Sequence, residues 1–375
     1  MFQKLNLVTH PHQSSLSGVQ ILETHIGRAS PRSWPQFSDD PDGTGRSLPK
    51  LPVMVDQARF LLKADDTWML NGHRWLLNKD LTQFFTDNTV QNPESYSHLF
   101  VTDRDTGLSW TEREAFVFQN KARKTIRLEG QIGLAVSAEP SNWGSFLFRV
   151  VPKLAWLKAV GVSKILMYSQ FPQQAQLAGL LGFTEDAIIP HHPNCSYEMS
   201  SAIIPSQCHT NGYLDAYARE VFLGLSRSLQ GKSRYGRKIY ISRRGGVAST
   251  RARRCINEDE VCEALVAMGF DVVVPDELSV IGQLAAFANA DFIVGPAGAG
   301  MFNSVFCAPG TKLIDIESER HWVYAHCNLF SSLGLNFGVF WGRVDPTLVE
   351  SGAVHLPFSV NVPALLDRIA KMDKA

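Results

Sequence analysis

The chain has 375 residues, with 36 lysines and arginines against 36 aspartates and glutamates and 45% hydrophobic residues. That length exceeds what one hydrophobic core organises, so two domains are expected, and the balanced charge gives no global field for nucleic acid or an anionic membrane. No leader pattern, no run of 18 apolar residues and no CxxC pair among six scattered cysteines is found, which predicts a cytoplasmic protein with reduced thiols and no spanning helix.

Residues 1–52 are rich in Ser, Pro, Gly and His without sustained periodicity, and an irregular lead-in is expected there. From about Val53 the pattern firms. Gln131 to Ser137 reads as a buried strand, EPSNWG as a turn, FLFRVVPKLAWLKAVG as a helix closed by Gly161, and KILMYSQ as the next strand. Asn142, Ser145 and Arg149 interrupt the apolar start of that helix, and Pro152 predicts a kink. His191, His192, Cys195, Cys208 and His209 superficially resemble a metal finger, but the pairing is wrong and no metal is predicted. YLDAYAREVFLGLSRSLQ then reads as a helix and GKSRYG as the linker to a second half.

That second half alternates strand KIYIS, helix EDEVCEALVAM, strand DVVV, helix VIGQLAAFANA, strand FIVG, a helix from about Gly300 and strand KLIDIE. Such alternation predicts an α/β fold with a parallel, doubly wound sheet and a ligand at the carboxyl ends of its strands. The expected division is 53–230 for a first α/β domain, 231–345 for a second, Rossmann-like domain, and 346–375 for a tail and helix.

Two constellations carry chemistry. The first is YISRRGGVASTRARRCINEDE, where Arg243, Arg244, Arg251, Arg253 and Arg254 crowd one loop and no acid lies between Lys232 and Arg254. Asn257 reads as an N-cap with Glu260 in capping-box position, so the acids start a helix while the arginines face an anion. Arginine suits phosphate because its planar fork binds two oxygens. The second is GPAGAGMFN, where Gly295, Gly298, Ala299, Gly300 and Asn303 form a turn that lets backbone amides approach a phosphate. Glu317, ending the next strand, stands near the offset of a ribose-binding acid. The same pair of features permits an NAD-linked oxidoreductase, against which stand Asn303 at the third glycine position and the arginine loop.

Taken together, KIYISRR, RRCINEDEV, GFDVVVPDELSVIGQLAAFANADFIVGPAGAGMFNSVF, KLIDIE and NWGSFLFRVVPKLAWL resemble glycosyltransferase family 61 over roughly residues 130 to 320. The resemblance implies a GT-B fold, two Rossmann-like domains facing a cleft. It implies inverting transfer from a nucleotide-diphosphate sugar to a saccharide or glycolipid acceptor in polysaccharide biosynthesis, such as capsule or exopolysaccharide. It implies further that no metal or other cofactor is required, and the expected location is the cytoplasm or the periphery of the inner membrane. The implied donor residues are Arg243, Arg244, Arg254, Asn257, Glu258, Gly295, Gly298, Ala299, Gly300, Asn303 and Glu317. Arg243, Arg254, Ser145 and Arg149 are the implied catalytic residues.

Two departures matter. The family commonly has His where this chain has Ser145 and Ala297, and an acid where it has Arg149. The proton acceptor is therefore unassigned, with Asp103, Glu139, His191, His192 and His209 as substitutes. The departures also admit a catalytically impaired nucleotide-sugar-binding protein of the same ancestry.

Overall fold

In the computed structural model, residues 2–27, 29–30, 35–43, 45, 54–55, 58–88, 108–111, 115–119, 124–244, 254–319, 324–344 and 356–374 are described. They form two compact units, 1–28 with 55–208 and 29–54 with 209–375. Among the described residues, no helix is long and apolar enough to cross a membrane.

In the first unit the strands include β1 (Phe2–Leu7), β2 (Val19–His25), β3 (Arg59–Asp65), β4 (Trp68–Asn71), β5 (Trp75–Asn78), β6 (Gln83–Phe85), β7 (Lys124–Ala135), β8 (Lys164–Met167), β9 (Ile188–Pro190) and β10 (Cys195–Pro205). The N-terminal lead-in expected to be irregular thus contains strands, among them β1 pairing with β6 and β2 with β3. β2 hid from the sequence because it buries neither face, so selection for a period-two apolar pattern is absent.

Strands β7, β8, β9 and β10 are parallel neighbours in the order β9-β8-β7-β10. The chain steps outward from β7 to β9 and then places β10 on the other side of β7, so strand order reverses there. Ile132, Leu134 and Leu166 on these strands share a buried core with Phe60, Trp68 and Tyr197. One α-helical turn (Trp143–Ser145) and one π-helical turn (Phe146–Val150) lead into α1 (Val151–Ala159), and α2 (Pro172–Leu180) follows β8. Pro152 occupies the first turn of α1 rather than its interior. The wider turn before it, closed by Val151 N–H to the Phe146 carbonyl, absorbs the donor that proline lacks, so the feature is a π-bulge and not a simple kink.

The second unit contains α3 (Ala216–Leu229), which the sequence had suggested would end the first domain. Its packing explains the difference: Phe222 meets Phe306 edge-on at 5.5 Å, and Ser226 Oγ donates to the Phe306 carbonyl at 2.7 Å. Then come β11 (Lys238–Ile241), α4 (Glu258–Ala267), β12 (Asp271–Val273), α5 (Val280–Ala288), β13 (Phe292–Pro296), a 3₁₀ helix (Ala299–Phe306), β14 (Lys312–Ser318), α6 (Tyr324–Ser332), β15 (Asn336–Val344) and α7 (Val362–Lys374). The five strands are parallel in the order β12-β11-β13-β14-β15, with the reversal between β11 and β13.

Tyr240, Phe292, Val294, Ile314 and Phe340 form one buried sheet face, covered by Val261 and Leu265 of α4 and Leu365 and Ile369 of α7. Full burial of each Leu or Ile contributes about 2 kcal/mol. The helix expected in a C-terminal tail is therefore part of this core. Ser38–Asp39 also joins this unit, pairing in parallel with β15.

Candidate functional site

The carboxyl end of β11 places Ser242, Arg243 and Arg244 beside the turn that leaves β13. Arg243 Nη1 donates to the Ala297 carbonyl at 3.1 Å. A Cβ added to Gly298 would stand 3.3 Å from Arg243 Nη1, so glycine there leaves room for the guanidinium. The two sequence motifs meet where strand order reverses, the position at which open α/β sheets bind ligands. Gly295 serves the approach of the strands instead: its Cβ would stand 2.9 Å from Ile241 Cβ. Gly300 has room, its nearest neighbour being Ile241 Cγ2 at 3.7 Å.

The helix after this turn is 3₁₀, with Met301 N–H to the Gly298 carbonyl at 3.1 Å as its first internal bond. The amides of exposed Ala299 and of Gly300 precede that bond, the usual condition of a helix start that meets an anion. Asn303 is fully buried within the helix.

Glu258, in the first turn of α4, is 4% exposed. Its Oε1 accepts from Arg243 N–H at 2.8 Å, Ser242 Oγ at 2.9 Å and Tyr240 Oη at 3.2 Å. The carboxylate therefore anchors the backbone that carries Arg243. Burial, followed by the Glu258 charge, pushes the Tyr240 phenol well up. Asn257 does not cap α4 with its side chain. It bridges to residue 360 instead, accepting from Val360 N–H and donating to the Val360 carbonyl, both at 2.9 Å. Its Nδ2 also donates to Glu260 Oε2 at 3.0 Å, so the pair seen in the sequence interacts through side chains rather than as a capping box.

One of the loop arginines has a partner that its own segment did not offer. Arg244 Nη1 meets Asp259 Oδ1 at 2.7 Å, an exposed pair worth at most about 1 kcal/mol. Arg254 is exposed, and its carbonyl accepts from Phe358 N–H at 2.9 Å. Arg251, Arg253 and Asp103 lie outside the described residues.

Glu317 is buried at 1% exposure beside Asp315 on the same strand face and His326 of α6. Ligand-capable atoms of the three lie within 4.8 Å of one another, with His326 Nδ1 and Asp315 Oδ2 at 2.9 Å. Asp315 and His326 were missed in the sequence, where only the interruption of the buried run KLIDIE by an acid could have signalled them. A separate cavity of about 390 Å³ in this unit is lined by Tyr213, Arg219, Cys307, Pro309 and residues 331–334. It lies toward the amino ends of β14 and β15, away from the arginines.

In the first unit, Ser145, Arg149 and Lys153 lie four residues apart on one side of the helix that follows β7. All three address the chain leaving that strand. Ser145 Oγ donates to Glu139 Oε2 at 2.9 Å, and Arg149 Nη1 meets the same oxygen at 3.2 Å and the Ala138 carbonyl at 3.2 Å. Lys153, 1% exposed, donates to the Val136 carbonyl at 2.9 Å and pairs with Asp87, which also accepts from Gln207 Nε2 at 3.2 Å. The Lys153–Asp87 pair escaped the sequence reading because its partners are 66 residues apart.

The histidines do not join this cluster. His191 is buried with Nε2 on the Gly72 carbonyl at 2.8 Å, and burial lowers it to about 4. His192 is exposed beyond β9, two strands and about 10 Å from β7. His209, in the other unit, is buried with Nδ1 accepting from Gly212 N–H at 3.3 Å. Cys195 opens the eleven-residue β10 and Cys208 lies three residues beyond its far end, which rules out a shared ion. None of the six cysteines forms a disulfide.

A comparison with curated proteins finds no match. Residues 143–314, from the start of the helix after β7 to the middle of β14, match the family model described as Glycosyltransferase 61. The chain thus carries a family 61 glycosyltransferase domain and is a glycosyltransferase, of a family that in general uses a nucleotide-sugar donor and a saccharide acceptor.

Proposed function

We propose that the chain is an inverting, metal-independent transferase of GT-B architecture, acting in the cytoplasm in polysaccharide biosynthesis. It moves a sugar from a nucleotide-diphosphate sugar to a saccharide or glycolipid acceptor. The donor belongs to the second unit and the acceptor to the first. The observation that carries this reading is the Arg243 guanidinium held against Gly298 at the strand-order reversal. There a fixed cation and the leading amides of the 3₁₀ helix act as the charge stabiliser that a departing diphosphate needs, a role a metal fills elsewhere. Arg254 is the second cation of the same loop, and Glu317 is the acid for the donor ribose.

The test is a thermal-shift panel of UDP, GDP, their common sugar conjugates and NADH. A ligand that binds only the folded state at 100 times its Kd stabilises by about 2.7 kcal/mol. The shift given by the best nucleoside diphosphate should disappear in Arg243→Ala and Arg254→Ala. Retention of the full shift by both variants means that the arginine loop is not the diphosphate site. Turnover that stops in a chelator refutes metal independence, and a shift with NADH alone points to a dinucleotide instead.

A further inference from the structure

The reaction proposed above needs a group that takes the acceptor hydroxyl's proton. We propose that Glu139 is that general base; the assignment rests on the transferase reading of the preceding section. Of the three side chains that meet beyond β7, the Ser145 hydroxyl and the Arg149 guanidinium have no proton-accepting capacity at neutral pH, whereas a carboxylate has. Ser145 and Arg149 both bind Oε2 of Glu139. Among the described residues Oε1 makes no hydrogen bond, and the side chain is 59% exposed. One oxygen is thus clamped and the other faces outward, as a base that must meet a substrate hydroxyl requires.

The backbone supports the same assignment. Glu139 has φ +53°, a conformation uncommon for a residue with a Cβ and concentrated at functional positions. It is held there from both sides. Asn142 N–H donates to the Glu139 carbonyl at 2.9 Å, and the buried Gln174 of α2 donates to the Pro140 carbonyl at 2.9 Å. The turn follows β7 at the reversal of strand order, where α/β sheets bind their ligands. The competing acid, Asp87, is buried in its pair with Lys153.

In the step itself the acceptor O–H proton passes to Glu139 Oε1 while the acceptor oxygen bonds to the anomeric carbon. The bond from that carbon to the β-phosphate oxygen breaks, and its electron pair leaves with the nucleoside diphosphate. Ser145 and Arg149 are positioning residues that fix Oε2.

The experiment uses the full chain with UDP-glucose, UDP-N-acetylglucosamine and GDP-mannose, measuring nucleoside diphosphate release to water as the universal acceptor. Glu139→Gln should lower kcat by about 100- to 10,000-fold while leaving Tm and the donor-induced thermal shift as in the wild type. Glu139→Asp should keep measurable turnover. The fall of rate on the acid side of the pH profile should vanish in Glu139→Gln and move in Glu139→Asp, which a merely structural brace would not produce. Turnover in Glu139→Gln within threefold of wild type overturns the assignment. So does a loss of Tm or of donor binding large enough to account for the lost rate. Wild-type protein that binds a nucleotide sugar yet releases nothing from any of the three refutes the transferase reading, and the base falls with it.

Discussion

The two strand-order reversals use the same parts with the charges exchanged. At β11 a buried glutamate, Glu258, holds the backbone while the half-buried Arg243 lays its guanidinium along the Gly298 turn. At β7 a buried lysine, Lys153, holds the Val136 carbonyl while glutamate points outward. In each case the ion placed inside grips the main chain, and the ion of opposite sign left outside is available to a ligand. Burying a charge is expensive unless it is paired and hydrogen bonded, so the inner ion acquires a full set of partners and can hold the outer one in place.

The largest expected effect breaks the inner ion at β7. Lys153→Met leaves Asp87 buried without its cation and should destabilise the protein by about 3–5 kcal/mol, whereas Lys153→Met combined with Asp87→Leu should recover much of the loss. Urea unfolding measures both, and a single variant as stable as wild type would show that the pair anchors nothing.

His191 provides a pH lever confined to the first unit. Its folded value is depressed to about 4 by burial, so the unfolded chain binds more protons between about pH 6.5 and 4 and stability falls as pH drops through that window. The stability fully present above pH 6.5 should fall by about 3 kcal/mol by pH 4, and the fall should flatten in His191→Gln. Equal pH dependence in the two proteins rejects this.

On the second unit, Glu258→Gln exchanges a carboxylate that accepts three hydrogen bonds for an amide and should cost about 1–3 kcal/mol. Its donor-induced thermal shift should shrink as well, because the Arg243 backbone is no longer held. An unchanged shift would separate the anchor from the site. The smallest effect expected is that of Gly298→Ala, which brings a methyl to 3.3 Å from Arg243 Nη1. Calorimetric titration with the best nucleoside diphosphate should show about tenfold weaker binding, near 1.4 kcal/mol, with little change in Tm.

The alternation after residue 238 was legible because a parallel sheet buried on both faces writes nearly continuous apolar strands between helical repeats. KIYIS, FIVG and KLIDIE therefore appear as strands in the fold. β2 was illegible for the opposite reason, since it buries neither face, and α3 was assigned to the wrong side because GKSRYG looks like a linker. In the structure Gly231 N–H binds Asn289 Oδ1 at 2.7 Å, so that stretch is a turn inside the second unit. The arginine and glycine motifs could be named from the sequence, but their meeting at Gly298 could not.

From the sequence alone came the chemical types: a cation-rich loop, a glycine turn, and a helix start missing the expected histidine. Local pattern carries such information because propensity, turn chemistry and charge are properties of neighbours in the chain. Only the tertiary structure decided which charge goes inside. Glu258 looked like a ligand-binding acid and turned inward; Glu139 looked like part of a turn and faces out. That choice depends on partners such as Tyr240, Asp87 and Gln207, brought together from distant segments, and on the cost of leaving any one of them buried without the others.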